Sequence, residues 1–153
     1  MHHIVYLERD SVVAEVRRPD FPHHWVEYPK SSQRQVAERL AGATIAIVNK
    51  LQIDAELIAV LPTLQMVAVA ATGTNNVDLI ACRARGIVVS NIRGYAAHTV
   101  PEHVFALLLA LSRNLPAYRQ AVAAGSWQRS DQFCCFADPI RDLHGATLAL
   151  IGS

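Results

Sequence analysis

The stretch Met66-Val-Ala-Val-Ala-Ala-Thr-Gly-Thr-Asn-Asn-Val-Asp78 combines an apolar run, a polar loop and a residue that commonly begins a helix. Short apolar runs bounded by turn residues are typical of buried strands, and Asp is a preferred helix N-cap because its carboxylate accepts a backbone N–H of the first turn. Strands that alternate with helices in this way pack as a mostly parallel sheet. The stretch therefore predicts one βα unit of an α/β fold.

The same alternation extends on both sides of this stretch. Each predicted helix opens on Ser or Asp and ends at a glycine or before a proline, which are ordinary start and stop signals. The predicted strands are residues 4–7, 25–28, 44–49, 66–71 and 87–90, and the predicted helices are residues 32–40, 54–61 and 78–85. These elements predict a compact three-layer α/β unit that ends near residue 95.

The composition limits the partners of the chain. Of its 153 residues, 52% are hydrophobic and 18% are charged, so there is enough apolar surface for a substantial core. The formal net charge is only +1 and no basic block is present, so nucleic acid is not an expected partner. The longest apolar run, residues 104–111, is far shorter than the roughly 20 residues that span a bilayer. With no signal-peptide pattern at the N-terminus, we expect a cytoplasmic protein.

A different pattern follows the α/β unit. Thr99-Val-Pro-Glu102 has the spacing of a capping box, with Pro101 in the first turn, and predicts a helix that begins at Thr99. The helix continues through residues 104–111, which are apolar on every face, so we expect other elements to cover it. A second helix is predicted over residues 116–124, before Gly125.

The last residues predict a further strand. Residues 146–151 form an apolar run that leads into Gly152, which could be the first glycine of a phosphate-binding turn. We therefore expect two domains, residues 1–98 and residues 99–153, the second being the incomplete start of a dinucleotide-binding domain. In this interpretation the chain is the front part of a nucleotide-dependent enzyme.

Candidate binding residues follow three of the predicted strands. In an open α/β sheet, ligands lie outside the carboxyl ends of the strands. Backbone N–H groups near Gly73 could converge there on an anion such as a carboxylate, although an ordinary loop stabilised by its two Asn residues remains an alternative. The candidates at this edge are Lys50, Thr72, Gly73, Thr74, Arg93 and Tyr95.

Metal binding and nucleophilic catalysis are not predicted. His2-His3 and His23-His24 are adjacent pairs, and neighbours along a strand point to opposite faces, so neither pair makes a good chelate. Cys134 and Cys135 are adjacent rather than spaced as metal ligands, and we expect reduced thiols. No Ser-His-Asp order or nucleophile elbow is visible.

Four motifs together resemble a known family. They are the Ala70-Ala-Thr-Gly-Thr-Asn-Asn-Val-Asp78 loop, Arg85-Gly-Ile-Val-Val-Ser-Asn91, Thr99-Val-Pro-Glu-His103 and Leu143-His-Gly-Ala-Thr-Leu-Ala-Leu-Ile-Gly152. Their order and spacing are similar to those of the D-isomer-specific 2-hydroxyacid dehydrogenases from about residue 44 onward. The form of the first loop and the aromatic, Cys-containing stretch around Phe133 look most like glycerate dehydrogenases, also called hydroxypyruvate reductases.

The resemblance implies a flavodoxin-like substrate domain followed by a Rossmann domain for NAD(H) or NADP(H). It implies hydride transfer between the nicotinamide and a small 2-hydroxy or 2-keto acid whose carboxylate is held at Thr72 and Gly73. It also implies cofactor contacts near Thr99 and Gly152. The family's catalytic Arg, Glu and His match no position here, so we expect them after residue 153 and expect the chain alone to be inactive.

The resemblance also implies a homodimer formed through the helix at residues 104–111 and the arm that follows. Two alternatives remain at this stage. One is a non-catalytic, corepressor-like protein of the same fold that binds a dinucleotide, and the other is a free-standing module that binds a small ligand.

Overall fold

The structure is a computed structural model that describes residues 1–151. Contacts within the chain separate a first unit, Met1–Gly94, from a second that begins at Tyr95. The first unit contains five strands: β1 (His2–Tyr6), β2 (His23–Glu27), β3 (Ile45–Val48), β4 (Met66–Val69) and β5 (Val88–Asn91). It also contains three short α-helices: α1 (Val36–Arg39), α2 (Ala55–Ala59) and α3 (Leu79–Ala84).

The five strands form one parallel sheet in the order β2-β1-β3-β4-β5. This is the doubly wound order of flavodoxin-like proteins, in which the chain starts inside the sheet, moves to one edge and then returns to build the other side. The predicted α/β class and parallel sheet are confirmed, and so is the flavodoxin-like order that the resemblance implied.

One face of the sheet carries the hydrophobic core. Successive side chains of a strand point to opposite faces, so Val5, Ala46 and Val67 lie on the same face, where they pack in one cluster with Leu40 and Ile58. Fully burying a side chain of this size contributes about 1.5–3 kcal/mol. Because a shift of one residue would exchange the two faces of a strand, this burial fixes the register of the sheet and the positions at which the strands end.

The predicted helix signals are confirmed at α2 and α3. The side chain of Asp54 accepts the backbone N–H of Leu57 at 2.8 Å, and that of Asp78 accepts the N–H of Ala81 at 2.9 Å. Gly86 follows α3 with φ of +67°, the left-handed conformation that only glycine adopts without strain. The loops that leave the strands therefore enter helices with defined starts.

The second unit contains α4 (Ala96–Ser112) and α5 (Leu115–Ala123). The predicted capping box at Thr99 is wrong, since α4 begins three residues earlier and its Thr99 hydroxyl donates to the carbonyl of Tyr95 at 3.5 Å. Ala96 and Ala97 are strong helix formers and extend the helix toward the N-terminus. Pro101 consequently lies inside the helix and costs it one backbone hydrogen bond.

Helix α4 has no buried residue, although its segment 104–111 is apolar on every face. Large side chains such as Phe105 and Leu111 are exposed. Among residues 1–151, no helix is both long and apolar enough to cross a membrane.

The strand predicted over residues 146–151 is wrong, because the structure has no regular element there and all six residues are exposed. A strand needs a neighbour for its backbone N–H and C=O groups, and the described part of the second unit contains no other strand. The predicted start of a phosphate-binding turn, Gly152, lies outside the described residues.

Candidate functional site

The carboxyl ends of β3, β4 and β5 lie side by side at one edge of the sheet, because the three strands are parallel neighbours. The loop after each strand therefore leaves from this edge. In open α/β sheets a ligand binds in the crevice at this edge, where the connections of the strands diverge. We call it the carboxyl edge.

The carboxyl edge carries most of the candidate residues. Lys50 follows β3 and is exposed, and Thr72 and Gly73 follow β4 and are exposed, while Thr74 is half-buried. Arg93 follows β5 and is exposed. Two cations and a loop of small residues are thus brought to one edge.

A side-chain hydrogen bond joins the end of β5 to the loop after β4. The amide nitrogen of Asn91 donates to the carbonyl oxygen of Thr72 at 2.7 Å, and the N–H of Ile92 donates to the carbonyl of Ala71 at 3.1 Å. These bonds hold the carbonyl groups of residues 71 and 72 toward β5.

Asn76 joins the loops after β4 and β3. Its side chain is only 5% exposed, and its amide nitrogen donates to the carbonyl oxygen of Leu51 at 2.9 Å. The backbone carbonyl of Asn76 accepts the N–H of Ile53 at 2.8 Å. A buried amide without a hydrogen-bond partner would lose the free energy of its hydration, so these bonds matter for stability. Because Asn76 belongs to the loop after β4 and binds the loop after β3, it holds the two loops together. Sequence reasoning assigned this residue only a local turn.

Gly73 is needed for space rather than for an unusual backbone conformation. Its φ is not positive, unlike that of Gly86. A Cβ atom at Gly73 would lie 3.1 Å from the side-chain oxygen of Asn75. Within residues 1–151, the backbone N–H groups of Thr72, Gly73 and Thr74 donate to no other protein group. These donors can therefore serve an anion at the carboxyl edge.

The carboxylate of Glu8 lies at the end of β1 and accepts three backbone N–H groups of the loop after β3. The donors are Asn49 at 2.7 Å, Lys50 at 3.0 Å and Leu51 at 3.2 Å. The order of the strands reverses between β1 and β3, which is the point where ligands commonly bind in this fold. Sequence reasoning missed Glu8, although an acidic residue directly after the first strand was a visible signal.

A shallow cavity of about 390 Å³ opens beside the carboxyl edge. Tyr6, Ile47 and Ala68 line it on the face of the sheet opposite the core, and Val12 and residues 14–17 also line it. The side chain of Asn91 is at its rim. The cavity offers room for a small molecule next to the loops described above.

The three cysteines are free thiols in two different settings. Cys82 lies in the core, where burial raises the pKa of its thiol and the negative charge of Asp78 raises it further. It is therefore protonated and unreactive at neutral pH. Cys134 and Cys135 are half-exposed in the second unit.

The two histidine pairs meet across strands. His2 pairs with His23 and His3 with His24 in the register of β1 and β2, and the rings of His3 and His24 lie 5.0 Å apart. Neighbours within one strand point to opposite faces, but the pairing of β1 with β2 brings a histidine of each pair beside one of the other. No group of three or more His, Cys, Asp or Glu side chains that could hold a metal is found within residues 1–151.

Two candidates belong to the second unit. Tyr95 is its first residue and is exposed, and Thr99 is exposed on α4. A substrate contact of Tyr95 and a cofactor contact of Thr99 stay predictions.

The fold and the carboxyl edge define an α/β protein with flavodoxin-like strand order and a set of unpaired loop amides where such folds bind ligands. The chain belongs to the D-isomer specific 2-hydroxyacid dehydrogenases, because the model of that family's catalytic domain matches residues 4–148.

Individual relatives agree with this assignment. The glycerate dehydrogenase of Methylorubrum extorquens is 47% identical over 150 residues, which are 97% of this chain and 48% of that protein. A hydroxypyruvate reductase of Blautia hydrogenotrophica is 30% identical over 80% of this chain and 38% of its own length. The chain thus spans about half, or less, of the length of these relatives.

A solved structure shows the same fold. The D-lactate dehydrogenase of Aquifex aeolicus, complexed with NAD and lactic acid, has a TM-score of 0.62 at 20% identity, over 85% of this chain and 39% of that one.

Proposed function

We propose that the chain is the substrate-binding part of an NAD(P)-dependent dehydrogenase that acts on a small 2-hydroxy or 2-keto acid of the glycerate, hydroxypyruvate or glyoxylate type. Support comes from the family and from the 47% identity with a glycerate dehydrogenase. The observation that carries the proposal is the loop Thr72 to Thr74, whose backbone N–H groups are available at the carboxyl edge.

In this proposal the loop binds the carboxylate of the acid. Backbone N–H groups bind anions well because their dipoles are fixed before the ligand arrives. The exposed cations Lys50 and Arg93 leave the same edge and add attraction for a negative charge. A carboxylate held in this way fixes the position of the neighbouring 2-carbon, which is the reacting atom.

The described residues do not form a dinucleotide site. Residues 146–151 are exposed and irregular, and within residues 1–151 no glycine-rich turn joins a strand to a helix in the second unit. In the whole protein NADH or NADPH would donate a hydride to the 2-keto acid, and the oxidised cofactor would accept one from the 2-hydroxy acid. We place the catalytic Arg, Glu and His in sequence after residue 153, so the role of this chain is to bind and orient the acid.

The proposed location is the cytoplasm, and the proposed assembly is a homodimer through residues 104–111 and the following arm. The homodimer is supported by the exposed apolar side chains of α4, which a second subunit would remove from water.

The experiment compares the 153-residue chain with a longer protein that contains it. We expect the chain alone to bind hydroxypyruvate, with NMR shifts at the amides of Thr72 to Thr74, but not to oxidise NADH or NADPH. The longer protein should reduce hydroxypyruvate or glyoxylate. Binding without turnover of any 2-keto acid by the longer protein would instead favour a non-catalytic binding protein.

A further inference from the structure

The loop after β3 owes its conformation to side chains from other elements. Glu8 accepts the N–H groups of Asn49, Lys50 and Leu51, all at 2.7–3.2 Å. The next N–H, of Gln52, donates to the side-chain oxygen of Gln33 at 3.0 Å. Four successive backbone donors are therefore satisfied by two side chains that come from distant parts of the sequence.

The three N–H groups of residues 49–51 would destabilise the loop if they had no acceptor. Three N–H groups that converge on one point repel each other unless an anion lies between them, and here the anion is a carboxylate of the chain itself. Hydrogen bonds from backbone N–H to a carboxylate are charge-assisted and stronger than neutral ones. The carboxylate of Glu8 therefore stabilises the conformation of this loop.

The same loop is connected to the proposed carboxylate-binding loop. The carbonyl of Leu51 accepts the buried amide of Asn76, which lies two residues after Thr74. Glu8 thus holds one side of the loop that carries Lys50, and Asn76 holds the other side.

We infer that Glu8 is a positioning residue, which fixes the backbone at residues 49–51 and thereby places Lys50 beside the loop that binds the carboxylate of the substrate. This inference rests on the proposed function. Glu8 does not touch the substrate, because its carboxylate is occupied by the three N–H groups. The three N–H dipoles stabilise its negative charge.

The first test measures the loop itself. Hydrogen exchange of the amides of residues 49–51 is followed in the chain with Glu8→Ala and with the milder Glu8→Gln, which keeps an acceptor oxygen but loses the charge. Exposed Glu38, on α1, is changed to Ala as the matched control. We expect exchange about tenfold faster in Glu8→Ala, an intermediate rate in Glu8→Gln and the wild-type rate in Glu38→Ala, since each lost bond is charge-assisted.

The second test measures the acid. In the longer protein we expect Glu8→Ala to raise KM for hydroxypyruvate about tenfold while kcat changes less than twofold, which is the signature of lost binding common to ground and transition states. In the double variant with Glu8→Ala and Lys50→Ala, we expect a KM less than twofold higher than in Lys50→Ala alone, because Glu8 acts through Lys50. If Glu8 had a merely structural role, the effects of Glu8→Ala and Lys50→Ala on KM would be independent and would multiply.

Three results would overturn the inference: wild-type exchange at residues 49–51 in both Glu8 variants, faster exchange with an unchanged KM, or full additivity with Lys50→Ala. If Glu8→Ala does not fold, the Glu8→Gln variant decides each point. Failure of the proposed function is recognised separately, because the wild-type longer protein would then turn over no 2-keto acid. In that case the inference is decided by hydrogen exchange at residues 49–51 and by the dissociation constant of hydroxypyruvate, each compared between the wild-type chain and the Glu8 variants.

Discussion

The side-chain amide of Asn91 donates a hydrogen bond of 2.7 Å to the carbonyl oxygen of Thr72, so the end of β5 holds the loop that follows β4. This bond turns the carbonyl group of Thr72 toward β5. The proposed carboxylate site therefore depends on a residue of the neighbouring strand.

The first prediction concerns this bond. Asn91→Asp keeps the shape of the side chain but replaces the donor by an oxygen that repels the carbonyl of Thr72. We expect a loss of about 1 kcal/mol in the free energy of unfolding and weaker binding of hydroxypyruvate, measured by urea denaturation and NMR titration. Asn75→Asp is the control, because it adds the same charge to the exposed side of the loop. Equal effects of the two changes would contradict the role of the bond.

The second prediction concerns Gly73. A methyl group there lies 3.1 Å from the side chain of Asn75, which must move by a few tenths of an ångström. We expect Gly73→Ala to weaken acid binding with little loss of stability. Gly42→Ala should do the opposite and cost about 1 kcal/mol of stability without affecting binding, because Gly42 has φ of +75°. Thermal denaturation and titration of both variants separate the two cases.

The third prediction concerns Asn76. Replacing it by Ala leaves the carbonyl of Leu51 without its buried donor, so we expect the free energy of unfolding to fall by about 1–3 kcal/mol. Asn75→Ala, at the adjacent exposed position, should change stability by less than about 0.5 kcal/mol. Chemical denaturation of the two variants tests the difference. A loss below about 0.5 kcal/mol in Asn76→Ala would refute the assigned role.

The fourth prediction concerns the thiols. Burial raises the pKa of Cys82 above its ordinary value of 9.0 in the folded chain only. The unfolded chain therefore loses this proton first as the pH rises, and stability falls above about pH 9 until the folded-state pKa is passed. We expect the melting temperature to fall less steeply between pH 8 and 10 in Cys82→Ala than in wild type. A thiol reagent at pH 8 should label Cys134 and Cys135 quickly and Cys82 only on unfolding.

The fifth prediction concerns α4. Its exposed apolar side chains should make the chain associate, and Leu107→Glu together with Leu111→Glu should reduce this association, as measured by light scattering. Glu substitutions at Val60 and Ile80, two exposed apolar side chains of the first unit, are the control. A monomeric wild-type chain at high concentration would contradict the prediction.

Much of the first unit could be predicted from local signals. The strand at β4, the N-cap at Asp78 and the glycine at residue 86 are each decided within a few residues, and all are confirmed. The position of Lys50 and Thr72 at one edge also followed, because parallel strands align their ends. These features depend on neighbours in sequence or on a simple rule of the fold.

The parts that could not be predicted depend on distant residues. Glu8 and Asn49 are 41 positions apart, and only the pairing of β1 with β3 brings them together. In the second unit, the helix propensity of Ala96 and Ala97 extends α4 past the capping pattern at Thr99. The apolar run at residues 146–151 had the composition of a strand, but composition provides no neighbour with which to pair.

The place of β1 inside the sheet also has a consequence for synthesis in the cell. β1 (His2–Tyr6) is translated well before its partner strand β3, which begins at Ile45. At about 5–20 residues per second, the ribosome needs several seconds to make the intervening segment. During that time Ile4 and Val5 have no completed sheet to enter, so the nascent chain is a target for chaperones until β3 has emerged.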